Sequence, residues 1–308
     1  MGNLVRRRRQ MILRKRFGQA WGDLFLANSV WPKGEFRVEG NGNLYISKLG
    51  LSIPLACDAG LALIQVEHHW DAFLKAGLRF FVEGKGLFVQ AGKAKAKIDR
   101  LGDLAILHEV FVEGIYQFES VGPLVILDIG ANIGLASLFF ADRYQCPVYA
   151  YELVPSTAEL ARANFALNPH LTDLQLEAAG VGAGDRELEL VFDPENSAGN
   201  SMFASSGSTP EKVLIREAGA VIRDVADKYP DRRIVVKLDA EGAEYGIARL
   251  WASSGMLAKI GVLMIEWHES SEGSVDELRD ILRQGGFEWF ERNHTEAPVG
   301  MIYAYRRD

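Results

Sequence analysis

Residues 124–134, LVILDIGANIG, determine the fold class of this chain. The run LVILDI is almost continuously apolar, as a β-strand must be when both faces of its sheet are covered. The glycines that follow allow a tight turn and a close approach of the backbone to a ligand. Residues 134–144, GLASLFFADRY, then have the apolar spacing of an amphipathic helix. The segment therefore predicts a buried strand, a glycine loop and a helix.

The same alternation of strand and helix continues through the second half of the chain. Further apolar runs, separated by helical segments, occur at 147–153, 174–182, 234–242 and 260–269. Repeated βα units with right-handed crossovers predict a mainly parallel, doubly wound α/β sheet. The last two runs, FEWFERN and GMIYAYRR, are expected to form two strands joined by a short turn. This hairpin would give the parallel sheet an antiparallel edge.

Residues 1–100 have a different pattern, which predicts a small α+β module with a basic, partly helical N-terminal arm. Polar and apolar residues alternate over 35–60 around Asn41-Gly42, and FFVEGKGLFVQAG repeats this pattern, so two hairpins are expected. Helices are expected near 65–77 and over 101–118. We place the domain boundary after residue 100, so that residues 101–308 form the α/β domain.

The composition is that of an ordinary globular protein. The chain has 308 residues, a formal net charge of -7 and 48% hydrophobic residues, which excludes collagenous and disordered classes. Cys57 and Cys146 are the only cysteines and lack a metal-ligand or redox spacing, so reduced thiols and a cytoplasmic location are expected.

The charge is unevenly distributed. Seven basic residues precede the first acidic residue, Asp23, whereas the rest of the chain has 27 basic and 41 acidic residues. Such an arginine-rich start could make a weak contact with an anionic surface. The acidic remainder does not favour nucleic-acid binding.

The glycine loop departs from two common nucleotide-binding signatures. Against the dinucleotide fingerprint G-x-G-x-x-G, Asn132 replaces the second glycine and Leu135 the third, and the Gly-Lys-Ser/Thr of a Walker loop does not follow. Glu152 ends the next apolar run, 18 residues after Gly134. An acidic residue at this place can accept both hydroxyls of a ribose. Loop, acid and strand order together indicate a cofactor that contains a nucleoside.

Several segments of the second half occur in the order of one known family. They are LDIGANIG, AYELVPS, ARANFALN and VKLDAEGAE, followed by IEWHE and GGF. Through them the sequence resembles the FkbM family of S-adenosylmethionine-dependent methyltransferases, over roughly residues 110–290. For a class I methyltransferase, the resemblance implies a Rossmann-like, seven-stranded sheet whose last strand is antiparallel. This agrees with the hairpin inferred from the pattern alone.

The resemblance implies S-adenosylmethionine as the cofactor and assigns residues to it. Gly130, Asn132 and Gly134 would line its methionyl part. Glu152 would hold the ribose. Asp128 would either anchor the loop or reach the amino group of the cofactor.

Two pairs of residues complete the implied cofactor site. Ala178 and Ala179 would lie beside the adenine, where small side chains leave room for the ring; packing alanines are the alternative. Glu113 and Tyr116, within HEVFVEGIYQF, would approach the polar end of the cofactor.

Polar residues at the ends of two apolar runs are the candidates for acceptor chemistry. Asp239 and Glu241 follow IVVKL and His268 follows IGVLMIEW, so they belong at the carboxyl ends of parallel strands, where open α/β sheets bind ligands. His268 is the preferred general base, because its ordinary pKa of about 6.5 leaves much of it neutral. The two acids would position hydroxyls, polarise the base or hold a divalent metal, which is possible but not favoured. Glu244 is expected to stabilise a helix start, and Lys237 to belong to the strand.

The expected reaction is transfer of a methyl group to an oxygen, a hydroxyl of a sugar, glycan or polyketide-like natural product. An NAD-dependent oxidoreductase and a non-catalytic scaffold with a methyltransferase-like domain remain as alternatives. Residues 196–212, rich in Ser, Gly and Asn and including Asn200 and Ser201, are expected to form a flap over the substrate. The acceptor, the role of residues 1–100 and the oligomeric state are left open by the sequence.

Overall fold

The computed structural model of the chain describes residues 2–119, 122–171, 173–192, 209–293 and 299–306. The chain divides into two compact units, Met1–Gly114 and Ile115–Asp308. None of the helices in the described ranges combines the length and the apolar composition that a membrane crossing requires.

The first unit combines helices with two small antiparallel sheets. Its elements are α1 (Gly2–Ala27), β1 (Phe36–Val38), β2 (Leu44–Ile46), β3 (Leu51–Ile53), α2 (Asp58–Gln65), α3 (Trp70–Lys75), β4 (Arg79–Glu83), β5 (Gly86–Ala91), β6 (Ala94–Ile98) and α4 (Leu101–Leu107). Strands β1, β2 and β3 form one sheet in that order, and β4, β5 and β6 form the other. Both predicted hairpins are confirmed, each extended by a third strand.

The helices of the first unit have other bounds than the sequence predicted. The helix expected near 65–77 is divided by a 3-10 turn, Glu67–His69, into α2 and α3, and α2 begins earlier, at Asp58. The helix expected over 101–118 consists of α4 and a π-helical turn, His108–Glu113, which is followed by Gly114 with a left-handed backbone. The domain boundary was expected after residue 100, ahead of α4. In the structure, α4 belongs to the first compact unit, which ends at Gly114.

The second unit alternates strands and helices. Its elements are β7 (Leu124–Ile129), α5 (Leu135–Tyr144), β8 (Val148–Tyr151), α6 (Pro155–Ala166), β9 (Leu174–Glu177), β10 (Gly180–Gly182), β11 (Arg186–Phe192), β12 (Thr209–Glu217), α7 (Ala218–Lys228), β13 (Arg233–Leu238), α8 (Glu244–Ser253), β14 (Ile260–His268), α9 (Val275–Gln284), β15 (Glu288–Asn293) and β16 (Val299–Tyr305).

One seven-stranded sheet organises this unit, in the order β15-β16-β14-β13-β7-β8-β9. The pairs from β14 to β9 are parallel, and β16 is antiparallel to both of its neighbours. The mainly parallel, Rossmann-like fold of a class I methyltransferase is therefore confirmed. The antiparallel strand itself lies one place inside the edge, because β15 occupies the edge.

The run LQLEAAGVG was expected to form a single strand, but in the structure it does not. It divides into β9, which belongs to the seven-stranded sheet, and β10, which pairs with β12 in a separate three-stranded sheet. The change of sheet occurs at Ala178 and Ala179. Hydrophobic periodicity cannot detect it, since the pattern does not encode which strand pairs with which.

The central strands carry the most buried residues of the unit. Every residue of β7 is buried, and β13 is buried from Ile234 to Leu238. The chain leaves β7 for β8 on one side and later returns to β13 on the other. Such a reversal of strand order opens a crevice at the carboxyl ends of the strands. The loops that follow β7, β8, β13 and β14 therefore form the candidate site.

Candidate functional site

The glycine loop after β7 packs directly against the loop after β13. Gly130 has φ +82, and a Cβ atom there would lie 1.7 Å from the carbonyl oxygen of Asp239. Gly134 has φ +85, and its Cβ would lie 2.6 Å from Cε1 of Phe165. Both positions require glycine, for conformation and for space. The two loops are therefore in contact at the predicted ligand-binding end of the sheet.

Glu152 lies beside the glycine loop with both carboxylate oxygens engaged. Oε2 accepts a hydrogen bond from the backbone N of Asn132 at 2.8 Å, and Oε1 accepts one from the backbone N of Val154 at 2.9 Å. Burial raises the pKa of Glu152 to about 7, although these two N–H groups oppose the shift. The N–H groups fix the orientation of the carboxylate and leave its other lone pairs for hydroxyl donors.

Lys237 is a buried cation that ties the two loops together. Its Nζ donates to the carbonyl oxygen of Gly130 at 2.6 Å. The same atom lies 3.3 Å from Oδ1 of Asp128 and 3.2 Å from Oδ2 of Asp239. Burial alone would lower the pKa of Lys237, but the carboxylates of Asp239 and Asp128 raise it above its ordinary value. This role was not predicted from the sequence, although a lysine within the apolar run IVVKL is the signal that could have revealed it.

Asp128 holds the glycine loop from inside the protein. Its side chain has no exposed surface, and its Oδ2 accepts a hydrogen bond from Oγ of Ser137 at 2.5 Å. Of the two roles that the family resemblance implied, anchoring the loop agrees with this geometry. Reaching a cofactor amino group would require an oxygen with access to the crevice.

The structure brings the three predicted catalytic residues together. One ligand-type atom each of Asp239, Glu241 and His268 lies within 4.8 Å of the others. Nε2 of His268 is 3.5 Å from Oε2 of Glu241. Glu241 has a left-handed backbone, φ 50, in the tight turn between β13 and α8. Each of the three is partly exposed, so the cluster is open to a ligand.

Glu244 supports this cluster from below. It is completely buried, and its Oε1 lies 3.3 Å from Nδ1 of His268. Backbone N–H groups of Ala240 and Gly242 donate to its carboxylate at 2.8 to 3.1 Å. From the sequence, Glu244 was expected only to stabilise the start of a helix, because its contact with His268 joins the start of α8 to the end of β14.

The charge state of His268 differs from the sequence prediction. Burial would lower its pKa, but the hydrogen bond to Glu244 and the carboxylates of Glu241 and Asp239 raise it to about 9. Burial raises the pKa of Glu241 to about 7, against the lowering effect of His268. These carboxylates therefore favour the protonated form of His268, in contrast to the neutral form expected from the sequence. The role of His268 as general base stays a prediction.

Tyr116 and Glu113 fall into different units. Tyr116 is buried in the second unit, where its hydroxyl donates to Oε2 of Glu266 at 3.3 Å and its ring centroid is 5.5 Å from Nζ of Lys237. It therefore lies beside the lysine that holds the glycine loop. Glu113 belongs to the first unit, where its Oε1 is 3.3 Å from Nδ1 of His108. Contact of either residue with the cofactor stays a prediction.

The remaining predicted parts of the site are the two alanines after β9 and the flap at 196–212. Ala178 is half-buried and Ala179 completely buried, and their place beside an adenine stays a prediction. Of the flap at 196–212, residues 196–208, with Asn200 and Ser201, lie outside the described residues. The last four residues belong to β12 rather than to a loop.

The cluster of Asp239, Glu241 and His268 also has the donor atoms of a divalent-cation site. A cation would have to compete with Lys237, whose Nζ is 3.2 Å from Asp239. The expectation that a divalent metal is possible but not favoured stays a prediction.

A model of the methyltransferase FkbM domain matches residues 128–289 of the chain. The matched range includes the glycine loop, Glu152, Lys237 and the cluster around His268. It covers more than half of the 308 residues.

Individual similar proteins share limited identity with the chain. AMB antimetabolite synthetase AmbE of Pseudomonas aeruginosa is 27% identical in an alignment 227 positions long, which covers 59% of this chain and 10% of AmbE. Methyltransferase sdnD of Sordaria araneosa is 27% identical in an alignment 236 positions long, which covers 66% of this chain and 90% of sdnD. The chain thus spans about a tenth of the length of AmbE. The crystal structure of methyltransferase FkbM from Methylobacillus flagellatus is similar with 15% identity and a TM-score of 0.41, covering 62% of this chain and 45% of that chain.

Proposed function

Because the chain belongs to the FkbM family of methyltransferases, we propose that it transfers a methyl group from S-adenosylmethionine to a hydroxyl oxygen of a sugar, glycan or polyketide-like natural product. The observation that carries the proposal is the placement of two groups at one end of the sheet. Glu152, which can accept hydrogen bonds from hydroxyl groups, follows β8 and lies beside the glycine loop. The Glu241–His268 pair lies on the neighbouring loops after β13 and β14.

The residues around the glycine loop fit the cofactor. When bound, S-adenosylmethionine would supply a methyl group on a positively charged sulfur. The nucleophile takes this methyl group and the sulfur leaves as a neutral thioether, so no covalent bond to the protein is needed. Glu152 is held by two backbone N–H groups, and its remaining lone pairs suit a ribose diol. Gly130 and Asn132 line the backbone turn that would receive the methionyl part. Lys237 keeps this turn in place through the carbonyl oxygen of Gly130.

We assign the proton transfer to Glu241 instead of His268. A hydroxyl nucleophile must lose its proton, and a base works best when its pKa is close to the working pH. The pKa of Glu241 is raised to about 7, whereas His268 is protonated at that pH. The imidazolium of His268 would then stabilise the Glu241 carboxylate. Glu244 would act as a positioning residue that holds His268 by its Nδ1 atom.

Two observations support the acceptor class. One similar protein is, by its name, an antimetabolite synthetase, and this supports an acceptor among natural products. The partly exposed carboxylates of Asp239 and Glu241 suit an acceptor with several hydroxyl groups. Sugars, glycans and polyketide-like products share this property. A small-molecule or glycan acceptor is therefore the partner that we propose.

Calorimetric titration of the purified chain with S-adenosylmethionine and with NAD, each with and without Mg²⁺, tests the cofactor. Micromolar binding of S-adenosylmethionine alone supports the proposal, and binding of NAD instead would replace it with an oxidoreductase. Transfer of an isotopically labelled methyl group to a panel of polyhydroxylated acceptors tests the reaction. Cofactor binding without transfer to any acceptor would favour the scaffold alternative. Transfer that requires Mg²⁺ would assign the carboxylates to a metal.

A further inference from the structure

The long helix α1 is a bent element that is fixed to the rest of the first unit. Gly18 interrupts it with a non-helical backbone, φ 75 and ψ 176. The part after Gly18 packs against the part before it, since a Cβ on Gly22 would lie 2.7 Å from the backbone N of Arg14. Arg14 also pairs with Asp23 through two hydrogen bonds of 2.6 and 2.8 Å. The segment ahead of Gly18 therefore has a defined orientation.

This segment has one face turned to the core and the opposite face turned to solvent. Leu13 and Phe17, four residues apart, are 2% and 1% exposed. On the other side, Arg8, Met11, Ile12 and Lys15 follow the i, i+3, i+4, i+7 spacing of a single helical face. Met11 is 65% exposed and Ile12 is 42% exposed. An apolar pair thus stands at the centre of the solvent face, with a cation on each side; we call these four residues the α1 outer face.

The cations on and next to the α1 outer face have no partners within the described residues. Three other basic residues of α1 do: Arg9 lies over the ring of Trp31, Arg14 pairs with Asp23, and Arg16 donates to backbone carbonyls of Pro32 and Gly34. In contrast, no ion pair or side-chain hydrogen bond involves Arg7, Arg8 or Lys15 in the described part of the chain. These are exposed charges concentrated beside two exposed apolar side chains.

We infer that the α1 outer face docks on an anionic phospholipid membrane, with Met11 and Ile12 entering the boundary between headgroups and acyl chains. Arg7, Arg8 and Lys15 would contact the lipid phosphates. A helix lying in the membrane interface has this combination of basic residues and large apolar residues. Anionic lipid attracts clustered lysine and arginine within a Debye length of its surface. The inference is independent of the proposed methyl transfer, since α1 and the crevice belong to different units.

A nucleic acid would satisfy the charges but not the apolar pair. Phosphate contacts are made by basic side chains, hydroxyls, amides and backbone N–H groups. They give no reason for exposing Met11 and Ile12 at the centre of the charged face. The described residues of this face also lack the exposed aromatic side chains on which single-stranded bases stack. A membrane accounts for both features.

Co-sedimentation of the full chain with vesicles tests the inference. We expect binding to phosphatidylcholine vesicles that contain phosphatidylglycerol, and not to phosphatidylcholine alone, with a loss of binding as salt rises. The double variant Met11→Ser with Ile12→Ser keeps every charge and should weaken binding at least about tenfold. Arg7→Glu with Arg8→Glu should abolish it. The matched control, Leu74→Ser with Lys75→Glu, alters an exposed apolar and basic pair on α3 and should bind normally.

Circular dichroism of each variant checks that the fold is retained. Absence of binding to anionic vesicles by the unaltered chain would overturn the inference. Normal vesicle binding by the Met11→Ser and Ile12→Ser variant would overturn it as well, since charge alone would then explain the contact. If duplex DNA or RNA binds the Met11→Ser and Ile12→Ser variant as tightly as the unaltered chain, and vesicles do not bind, the surface would be assigned to nucleic acid.

Discussion

The Nδ1 atom of His268 lies 3.3 Å from Oε1 of Glu244, and this contact joins the end of β14 to the start of α8. Glu244 has no exposed surface, and backbone N–H groups of Ala240 and Gly242 hold its carboxylate. The imidazole is thus bound to an acid that cannot turn away from it. Its other nitrogen, Nε2, is directed at Glu241, 3.5 Å away. Glu244 therefore holds His268 in place and, together with Glu241 and Asp239, raises its pKa.

Replacing Glu244 with glutamine should lower the pKa of His268 from about 9 towards its ordinary value, because the amide keeps the shape of the carboxylate but not its charge. NMR titration of the imidazole measures this directly. Since the folded-state pKa is raised, protonated His268 stabilises the fold fully below pH about 6.5 and loses this effect as the pH rises through about 9. Urea unfolding across that range should show a smaller loss of stability in the variant.

The control for this measurement is Glu272→Gln, which alters an exposed acid in the loop after β14. Its His268 titration should match that of the unaltered chain. An unchanged pKa of His268 in Glu244→Gln would show that the other carboxylates, and not Glu244, set its charge.

The proposed roles of Glu241 and His268 predict a bell-shaped dependence of kcat/KM on pH. Activity should rise through about 7 as Glu241 ionises and fall through about 9 as His268 loses its proton. Glu241→Gln should lower kcat by about 10²- to 10⁴-fold and leave KM for S-adenosylmethionine nearly unchanged. Glu187→Gln, on exposed β11, is the matched control. A full rate in Glu241→Gln would return the base assignment to His268 or Asp239.

Glu152→Ala should weaken binding of S-adenosylmethionine by roughly 1–3 kcal/mol, because hydrogen bonds to a charged acceptor are lost. In the unaltered chain, binding should tighten as the pH rises through about 7, since the ionised carboxylate is the stronger acceptor. Calorimetry at pH values on either side of 7 measures both effects. Glu187→Ala should bind like the unaltered chain, and equal affinity in Glu152→Ala would remove Glu152 from the cofactor site.

Gly130→Ala should lower the free energy of unfolding of the second unit by far more than the cost of placing an alanine in a left-handed backbone conformation. The new methyl group would lie 1.7 Å from the carbonyl oxygen of Asp239, a backbone atom that cannot move alone. Gly255→Ala is the matched control, because Gly255 also has a positive φ but nothing within 4 Å of its Cβ position. Urea unfolding should show a loss of about 1–2 kcal/mol for the control and more than about 3 kcal/mol for Gly130→Ala. Equal losses would contradict the contact between the two loops.

Lys237→Met should destabilise the second unit by about 3–5 kcal/mol, because it leaves the buried carboxylate of Asp128 without its cation. Adding Asp128→Asn should restore part of this loss, since the buried charge is then absent. The four chains of this double-mutant cycle are compared by urea unfolding. Additive losses would show that the 3.3 Å contact between Lys237 and Asp128 contributes nothing to stability.

Much of the second unit could be predicted from local pattern. Buried parallel strands are continuously apolar, and the loops between them begin with residues such as Gly130 that tolerate few replacements. The run IVVKLDAEG therefore placed Asp239 and Glu241 at a strand end, and IGVLMIEWHE did the same for His268. The division of LQLEAAGVG between two sheets could not be predicted in this way, because the spacing of apolar residues does not tell which strands pair with each other.

The charges of the site were the least predictable feature. His268 was expected to be largely neutral, on the basis of the pKa of an isolated imidazole. The neighbouring carboxylates raise this pKa to about 9 and so favour the protonated form. Lys237 and Glu244 were given structural roles, because each lies in a segment whose local pattern already explains it. Their contacts with Asp128 and His268 cross 109 and 24 positions of the chain. No window along the sequence contains such a pair.

The sequence by itself determined the alternation of strands and helices, the glycine loop and the residue types at the carboxyl ends of the strands. These follow from period, turn chemistry and the spacing between Gly134 and Glu152, all of which act over short stretches of chain. The tertiary structure alone decided which of these residues are charged and what holds them. Burial and the distance between charges set a pKa, and both are fixed only when β7, β13 and β14 lie side by side.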